Sequence, residues 1–322
     1  MSLKMLRHRD HDQYYKIEIP RSPSLPKLKI LHLDNIIFFD FESIERLFSS
    51  CELLEKLTLK YCKCDIGGHA LHRTGILKEL TINRCSFLLG TFEIDAPNLV
   101  YLKYKSNIGV RIIPSWKNSC SFEKASLTFS CSADDSAAKV DMNREILEAA
   151  AYKAVKISFE MDSLQLLLTR DDEMQMPDFH SLLTLYLGDC PYIAWEYVTC
   201  LLEKCSQLQI VRFESGLHCC ECCGYECPED DCYEALPSSD INLAPFPCHV
   251  KKIEVFSFCG HMCSLSLMGH LLKSASVLEE MDVYTNIDDD GETNVESAKL
   301  DICMDLLRLP RASKDCRVEI ME

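Results

Sequence analysis

The chain has 322 residues, of which 47% are hydrophobic and 26% charged, a balance typical of a folded globular protein with one elongated or two compact domains. No apolar run approaches the roughly 18 residues that a membrane-spanning helix needs. The opening residues, MSLKMLRHRDHD, lack the apolar stretch of a secretion signal. We therefore expect no membrane association.

The charge is divided unevenly along the chain, whose formal net charge is −16. Residues 1–160 carry 23 Lys and Arg against 20 Asp and Glu, whereas residues 161–322 carry 11 against 30. Because Lys and Arg hold the phosphates of nucleic acids, we expect no nucleic-acid partner. The 20 cysteines, with no secretion signal before them, indicate reduced thiols and a location in the cytoplasm or nucleus.

The first predicted element is a short strand near the amino terminus. Tyr15, Ile17 and Ile19 alternate with Lys16 and Glu18, and a period of two is typical of a strand. The first unit of a stacked repeat protein exposes an apolar end. We therefore expect residues 1–22 to form an extension whose strand partly caps that end.

A repeated pattern, apolar-x-x-apolar-x-apolar, follows from residue 28 onward. Most successive copies begin at a spacing close to the roughly 20–29 residues of a leucine-rich repeat. The longest gap separates the copy at Leu208 from the copy at Val250. The copies are Leu28/Leu31/Leu33, Leu54/Leu57/Leu59, Leu77/Leu80/Ile82, Leu99/Leu102/Tyr104, Phe122/Ala125/Leu127, Tyr152/Val155/Ile157, Leu182/Leu185/Leu187, Leu208/Val211/Phe213, Val250/Ile253/Val255 and Leu278/Met281/Val283.

Two further patterns accompany the repeat. In five copies a Cys or Asn stands three places after the last apolar position, where a buried polar group can bond the turning backbone: Cys62, Cys85, Asn107, Cys190 and Asn286. Helical spacing between the strands predicts covering helices with these apolar faces: Phe41, Ile44, Leu47 and Phe48; Trp195, Val198, Leu201 and Leu202; Leu300, Cys303, Met304 and Leu307.

These patterns predict an α/β leucine-rich-repeat solenoid, a horseshoe with a concave parallel sheet and convex helices. We expect the solenoid to span residues 23–270, with a Cys-rich insertion at 216–246, and a C-terminal repeat and cap to span residues 271–322. The alternative is a compact doubly wound α/β domain. It would require a glycine-rich phosphate turn, which the sequence lacks, and it would not explain the Cys and Asn positions.

Residues that flank the apolar strand positions should point onto the concave face. These flanking residues predict a concave face that is lysine-rich in the early and middle repeats and acidic in the last ones. A positive patch beside an aromatic ring would anchor an acidic peptide or a phosphate-bearing ligand, whereas the alternative is that the lysines only aid solubility. The candidate ligand-binding residues are Lys56, Lys60, Tyr101, Lys103, Lys105, Lys124 and Lys156.

A cysteine cluster, HCCECCGYECPEDDC, fills residues 218–232 in the longest gap. Two overlapping Cys-x-x-Cys pairs have the spacing of zinc ligands, and His218 is an alternative ligand. The two Cys pairs of a zinc site usually lie further apart in the sequence. An insertion whose thiols are reduced and bind no metal is therefore an equal alternative. Zinc is thus the one cofactor that the sequence suggests, with these candidate ligands: Cys219, Cys220, Cys222, Cys223, Cys227 and Cys232.

Several segments carry a family resemblance. PSLPKLKILHLDNI (23–36), IERLFSSCELLEKLTLKYC (44–62) and FEIDAPNLVYLKY (92–104) resemble the repeat region of plant F-box/leucine-rich-repeat proteins. LLKSASVLEEMDVY (271–284) and LLRLPRASKDCRVEIM (306–321) resemble the FBD tail of the same proteins. The resemblance implies a repeat region that recognises a protein substrate for a cullin ubiquitin ligase.

The F-box, the helical module that docks on a Skp-type adaptor, has no counterpart in residues 1–22. They are too few for its helices and lack its Leu-Pro start and Arg-Trp end. We therefore expect a protein-recognition module that is not an enzyme and for which a Skp-type adaptor is an improbable partner. The alternative is a metal- or redox-responsive binding protein that acts through the cysteine cluster.

Overall fold

The computed structural model describes residues 4–7, 15–87, 90–105, 110–112, 123–128, 146–160, 176–188, 195–217, 249–258, 260, 262–285 and 295–321. The chain divides into two compact units, Met1–Val155 (unit 1) and Lys156–Glu322 (unit 2). None of the helices described is long and apolar enough to cross a bilayer.

The elements of unit 1 are β1 (Lys4–Arg7), β2 (Tyr15–Glu18), β3 (Ile30–Asp34), β4 (Ile36–Phe38), α1 (Phe41–Ser49), β5 (Lys56–Lys60), β6 (Gly68–Arg73), β7 (Glu79–Asn83), β8 (Gly90–Asp95), β9 (Tyr101–Lys105), β10 (Val110–Ile112), β11 (Lys124–Thr128) and a helix, α2, at 146–153. Those of unit 2 are β12 (Lys156–Glu160), β13 (Thr184–Gly188), α3 (Trp195–Glu203), β14 (Ile210–Phe213), β15 (Lys252–Phe258), α4 (Met262–Ser274), β16 (Glu280–Thr285), α5 (Val295–Arg308) and β17 (Arg317–Met321).

The main sheet of unit 1 is parallel and follows the repeat. β3, β5, β7, β9 and β11 pair in that order without a register shift, so that the second residue of each strand lies beside its counterpart: Leu31, Leu57, Leu80, Leu102 and Ala125. The last four of these side chains are fully buried. The repeat pattern therefore sets the strand register, and the predicted α/β leucine-rich-repeat fold is confirmed.

The chain leaves each early strand through a left-handed residue. Asn35, Tyr61 and Arg84 directly follow β3, β5 and β7, with φ angles of 56°, 50° and 49°. The next residue after Tyr61 and after Arg84 is a buried cysteine whose thiol is bonded to backbone carbonyls. Cys62 Sγ lies 3.6 Å from the Leu33 oxygen, and Cys85 Sγ lies 3.6 Å from the Asn83 oxygen. The predicted role of these two cysteines is confirmed, whereas Asn107, Cys190 and Asn286 lie outside the described residues.

The first covering helix, α1, forms as predicted. Asp40 caps it by accepting a hydrogen bond of 2.6 Å from the Ser43 amide, which satisfies one of the free donors of the first turn. The predicted apolar face is buried in full and comprises Phe41, Ile44, Leu47 and Phe48.

The covering helices expected between the strands do not form in the next two repeats of unit 1. Their return segments are β6 and β8, which pair in parallel with each other and with β10 in a second sheet. Their side chains alternate between core and surface, with Ala70, Phe92 and Ile94 buried. Such alternation is the signature of a strand, and these two repeats are among the shortest in the chain, which leaves little room for a helix.

The predicted amino-terminal strand is β2, and it borders the first repeat. It pairs antiparallel with β1 and parallel with β4, and it buries Ile17, with Ile19 buried just beyond its end. It therefore pairs with β4 and not with β3. Ile30, at the start of β3, is 64% exposed.

Unit 2 contains β12 to β17, each parallel to the next. The helices α3, α4 and α5 lie between successive strands, as the covering-helix hypothesis predicts. The apolar positions predicted for the β12 repeat are displaced by two residues from the observed ones. The buried residues are Ala154, Ile157 and Phe159, whereas Tyr152 is 54% exposed.

Two further details of unit 2 correct the sequence analysis. β17 pairs in parallel with β16 and adds an eleventh copy of the repeat strand, which the repeat pattern did not predict.

The apolar face predicted for α5 is also wrong. Leu300 and Leu307 are about three-fifths exposed, and Leu306 is the fully buried residue. Ile302, one turn before Leu306, is half-buried, and its side chain fills the space beside Gly260.

Candidate functional site

The side of each main-sheet strand that faces away from the core is referred to as the open face. It carries the first, third and fifth residues of each repeat strand, because neighbouring side chains of a strand point to opposite sides. In β9, for example, Tyr101, Lys103 and Lys105 lie on this face, while Leu102 and Tyr104 are buried. The flanking residues predicted for the concave sheet therefore do share one side in each unit, apart from those of β12.

Among the predicted ligand residues of unit 1, Lys56 already has a partner inside the protein. Its Nζ lies 2.5 Å from the Glu79 Oε2 atom on the adjacent strand. Lys60, at the end of the same strand, is half-buried and lies beside Asn83 in the sheet register. Lys56 is therefore less able than an exposed lysine of the patch to attract an external anion.

The remaining predicted residues of unit 1 come together as the basic patch, defined as Tyr101, Lys103, Lys105 and Lys124. β9 and β11 pair so that Lys124 lies beside Tyr101, and the Lys124 Nζ is 5.8 Å from the centre of the Tyr101 ring. Lys103 and Lys124 are exposed, whereas Lys105 is half-buried. Burial, with a smaller contribution from the Glu79 carboxylate, raises the pKa of the Tyr101 hydroxyl, so the ring stays neutral.

Lys156, the last of the predicted ligand residues, opens β12 in unit 2 and is exposed. Because of the two-residue correction in β12, its neighbour along the open face is Ser158 and not Ala154. Lys156 therefore belongs to the open face of unit 2, while the basic patch belongs to unit 1.

The open face of unit 2 carries a feature that the sequence reading did not single out, the aromatic ladder of Tyr186, Arg212, Phe256 and Tyr284. The Arg212 guanidinium carbon lies 3.9 Å from the Phe256 ring centre and 5.7 Å from that of Tyr186. The Phe256 and Tyr284 rings stack with centroids 4.0 Å apart and planes 9° apart. The flanking positions had placed these residues on one face, but only the side-chain geometry shows that they stack.

Carboxylates surround the ladder. Arg212 lies 3.8 Å from Glu214 and 3.7 Å from Glu254, and its Nε, although buried, has no hydrogen-bond partner among the described residues. The Lys252 Nζ lies 2.6 Å from Asp282 and 3.0 Å from Glu280. The bond to Asp282, together with the contribution of Glu280, raises the pKa of Lys252, so it stays protonated. The predicted acidic character of the late repeats is therefore present on this face.

The predicted zinc ligands Cys219, Cys220, Cys222, Cys223, Cys227 and Cys232 lie outside the described residues. The strands on either side of the insertion, β14 and β15, are direct neighbours, with Ile210 beside Lys252. Within the described ranges, no three His, Cys, Asp or Glu side chains are grouped so that they could hold a metal ion.

Comparison with known proteins agrees with this architecture. Residues 27–51, which include β3 and α1, match a sequence family described as Leucine Rich Repeat. An F-box/LRR-repeat protein of Arabidopsis thaliana is 26% identical over 294 residues, which cover 85% of this chain and 58% of that protein. A putative F-box/LRR-repeat protein of the same plant is 28% identical over 321 residues, which cover 94% of this chain and 68% of that protein.

A third Arabidopsis thaliana relative, described as an F-box protein, is 27% identical over 290 residues, which cover 85% of this chain and 56% of that protein. The chain thus spans little more than half of the first and third of these relatives. The likeness extends across both units and not only across the short repeat match. The chain is therefore a homologue of the plant F-box/leucine-rich-repeat proteins, as its repeat and tail segments predict.

Proposed function

We propose that this chain is a protein-recognition module whose open face binds a segment of a partner protein, in the manner of the substrate-binding part of an F-box receptor. The role is binding and not catalysis. The observation that carries the proposal is the basic patch, in which four side chains predicted from the sequence lie side by side on β9 and β11.

The basic patch suits an acidic segment. Exposed ammonium groups attract and orient a negative partner, and the neutral Tyr101 ring offers a flat apolar surface beside them. Lys56 is paired with Glu79, so the affinity should depend less on Lys56 than on the lysines of the patch. We therefore assign an acidic or phosphorylated protein segment as the ligand of unit 1.

A fluorescence anisotropy titration tests this assignment. The probes are labelled decapeptides of alternating glycine and glutamate, or glycine and phosphoserine. Lys103→Glu with Lys105→Glu should weaken binding at least about tenfold, because it reverses two charges at the site. The matched control, Lys27→Glu with Lys153→Glu, makes the same charge change away from the patch and should weaken binding far less. Equal losses in the two variants would show that only overall charge matters.

The link to a ubiquitin ligase is a separate part of the proposal. We assign substrate recognition to the repeats and expect this chain not to retain a Skp-type adaptor by itself. A pull-down with purified adaptor checks this expectation. Stable retention of the adaptor, abolished by substitutions at β1 or β2, would place adaptor docking within this chain and contradict the assignment.

A further inference from the structure

The aromatic ladder of unit 2 is a cation-binding arrangement that a cation of the protein already occupies in part. Guanidinium groups are attracted to ring faces at separations up to about 6 Å, and Arg212 lies within that range of both Phe256 and Tyr186. Tyr284 continues the stack beyond Phe256 and is half-buried. The ladder thus contains one bound cation and one further ring next to the last strand, β17.

The carboxylates around the aromatic ladder outnumber the internal cations, so this surface can bind a further positive charge. Four carboxylates surround two internal cations: Glu214 and Glu254 lie close to Arg212, while Glu254, Glu280 and Asp282 lie close to Lys252. The carboxylates of this group outnumber its cations by two. In the sheet register Arg317 lies beside Glu280 and Glu319 lies beside Asp282, so the excess stays at two when β17 is included. Across the whole of unit 2, residues 156–322 carry 12 Lys and Arg against 31 Asp and Glu.

The surface beside Tyr284 has the features of a second cation-binding site. In the sheet register Met321 lies beside Tyr284, and Glu319 lies beside Asp282. Glu319 and Met321 are exposed, so this edge of the face is open to solvent. An incoming side chain would find a ring, an apolar thioether and a carboxylate within one strand spacing.

We propose that the open face of unit 2 binds an extended, basic protein segment, with an Arg or Lys side chain seated against Tyr284 and bonded to Glu319. The inference rests on the proposed function, since it names the partner chemistry of the open face of the other unit. Nucleic acid is a poor alternative, because its phosphates would meet the carboxylates. The two units then recognise segments of opposite charge.

The test is anisotropy with a labelled decapeptide of alternating glycine and arginine. Tyr284→Leu should weaken binding about fivefold, because leucine keeps apolar contact and loses the ring face, whereas Tyr284→Phe should bind like the parent chain. Glu280→Gln with Glu319→Gln should weaken binding about tenfold. The matched control, Asp301→Asn with Asp305→Asn, removes two charges from α5 and should change affinity less than twofold. Circular dichroism checks that each variant is folded.

The outcomes separate this inference from the proposed function. Equal losses from the Glu280/Glu319 and Asp301/Asp305 variants, or equal binding by Tyr284→Leu and Tyr284→Phe, would overturn the basic-segment site. The glutamate probe reports on unit 1 and should be unaffected by Tyr284→Leu. If the arginine probe fails while the glutamate probe still requires Lys103 and Lys105, only the present inference falls. If instead the glutamate probe does not require Lys103 and Lys105 while the arginine probe still requires Tyr284, the basic-patch assignment falls and the basic-segment site stands.

Discussion

His72 is a buried imidazole with an unusual environment. It lies in β6, is 7% exposed, and packs against the Phe48 ring with centroids 5.3 Å apart. Its Nε2 has no hydrogen-bond partner among the described residues. Because burial penalises the charged form, the pKa of His72 falls from the ordinary 6.5 to about 4.

This shift predicts acid sensitivity of unit 1. The unfolded chain takes up the proton first, so the contribution of His72 to stability is complete above pH 6.5 and is lost as the pH falls to about 4. The loss should reach about 3 kcal/mol in the free energy of unfolding. His72→Phe should flatten urea-unfolding midpoints over this range, whereas His32→Gln, at a half-exposed imidazole, should not. Identical pH profiles for the two variants would contradict the argument.

At the residue scale, sequence reasoning succeeded where the repeat fixes a chemical need. The positions of Cys62 and Cys85 follow from counting three places past the last apolar position of each repeat, because the turning backbone there requires a small bonding group. The stacking of Arg212 on Phe256 could not be predicted in this way. Phe256 lies beyond Glu254, the residue paired with Arg212, and only the direction of the side chains brings the ring and the guanidinium together.

At the element scale, α5 shows why an apolar stripe can be assigned to the wrong side. Apolar residues occupy most of the helix circumference, so the spacing of Leu300, Met304 and Leu307 was as regular as that of Ile302 and Leu306. Burial separates the two sets, since Leu306 is inaccessible and Leu307 is 62% exposed. The choice depends on where the sheet lies, which the helix sequence alone does not contain.

Paired substitutions in α5 check this assignment. Leu306→Ala should lower the free energy of unfolding by about 2–5 kcal/mol, because it removes a buried side chain and leaves a cavity. Leu307→Ala should change the free energy by less than about 0.5 kcal/mol. Urea denaturation of both variants makes the comparison. A larger loss at Leu307 than at Leu306 would restore the face that the sequence suggested.

The return segments of unit 1, β6 and β8, are strands where covering helices were expected. β6 and β8 were missed because the helix expectation from 41–48 was extended to shorter repeats. Their second-sheet register places Gly68 beside Gly90, and a Cβ atom at Gly90 would collide with the Gly68 oxygen and lie 2.6 Å from the Phe41 ring. The two glycines let Phe41 of α1 pack onto the second sheet, a reason for glycine that appears only in three dimensions.

At the scale of the whole molecule, the repeat pattern predicted the order of the repeat strands in both units, and it predicted the register of all of the strands it found except β12. Ten of the eleven repeat strands described were found, because each must present the same apolar positions to the core. The eleventh, β17, was missed since Asp315 stands where the pattern requires its first apolar residue, ahead of Val318 and Ile320. The character of each open face, basic in unit 1 and acidic in unit 2, was likewise visible in the charge distribution.

The cysteine insertion also bears on the whole molecule, because its sequence leaves open a metal- or redox-responsive role. We expect the purified chain to hold less than one equivalent of zinc, since its Cys-x-x-Cys pairs overlap and one tetrahedral site would strain them. Elemental analysis of the parent chain and of Cys219→Ser with Cys222→Ser measures this. Stoichiometric zinc that disappears in the variant would favour the metal-responsive alternative over a purely recognition role.

The direct pairing of β14 with β15 has a consequence for engineering. Ile210 and Lys252 are sheet neighbours although the whole Cys-rich insertion separates them along the chain, so the connection between them does not determine how the sheet is assembled. The entropy of closing such a connection rises only with the logarithm of its length. A folded reporter domain placed within that connection should therefore be carried without loss of strand pairing, giving a tag position that leaves the amino terminus and the carboxyl terminus untouched.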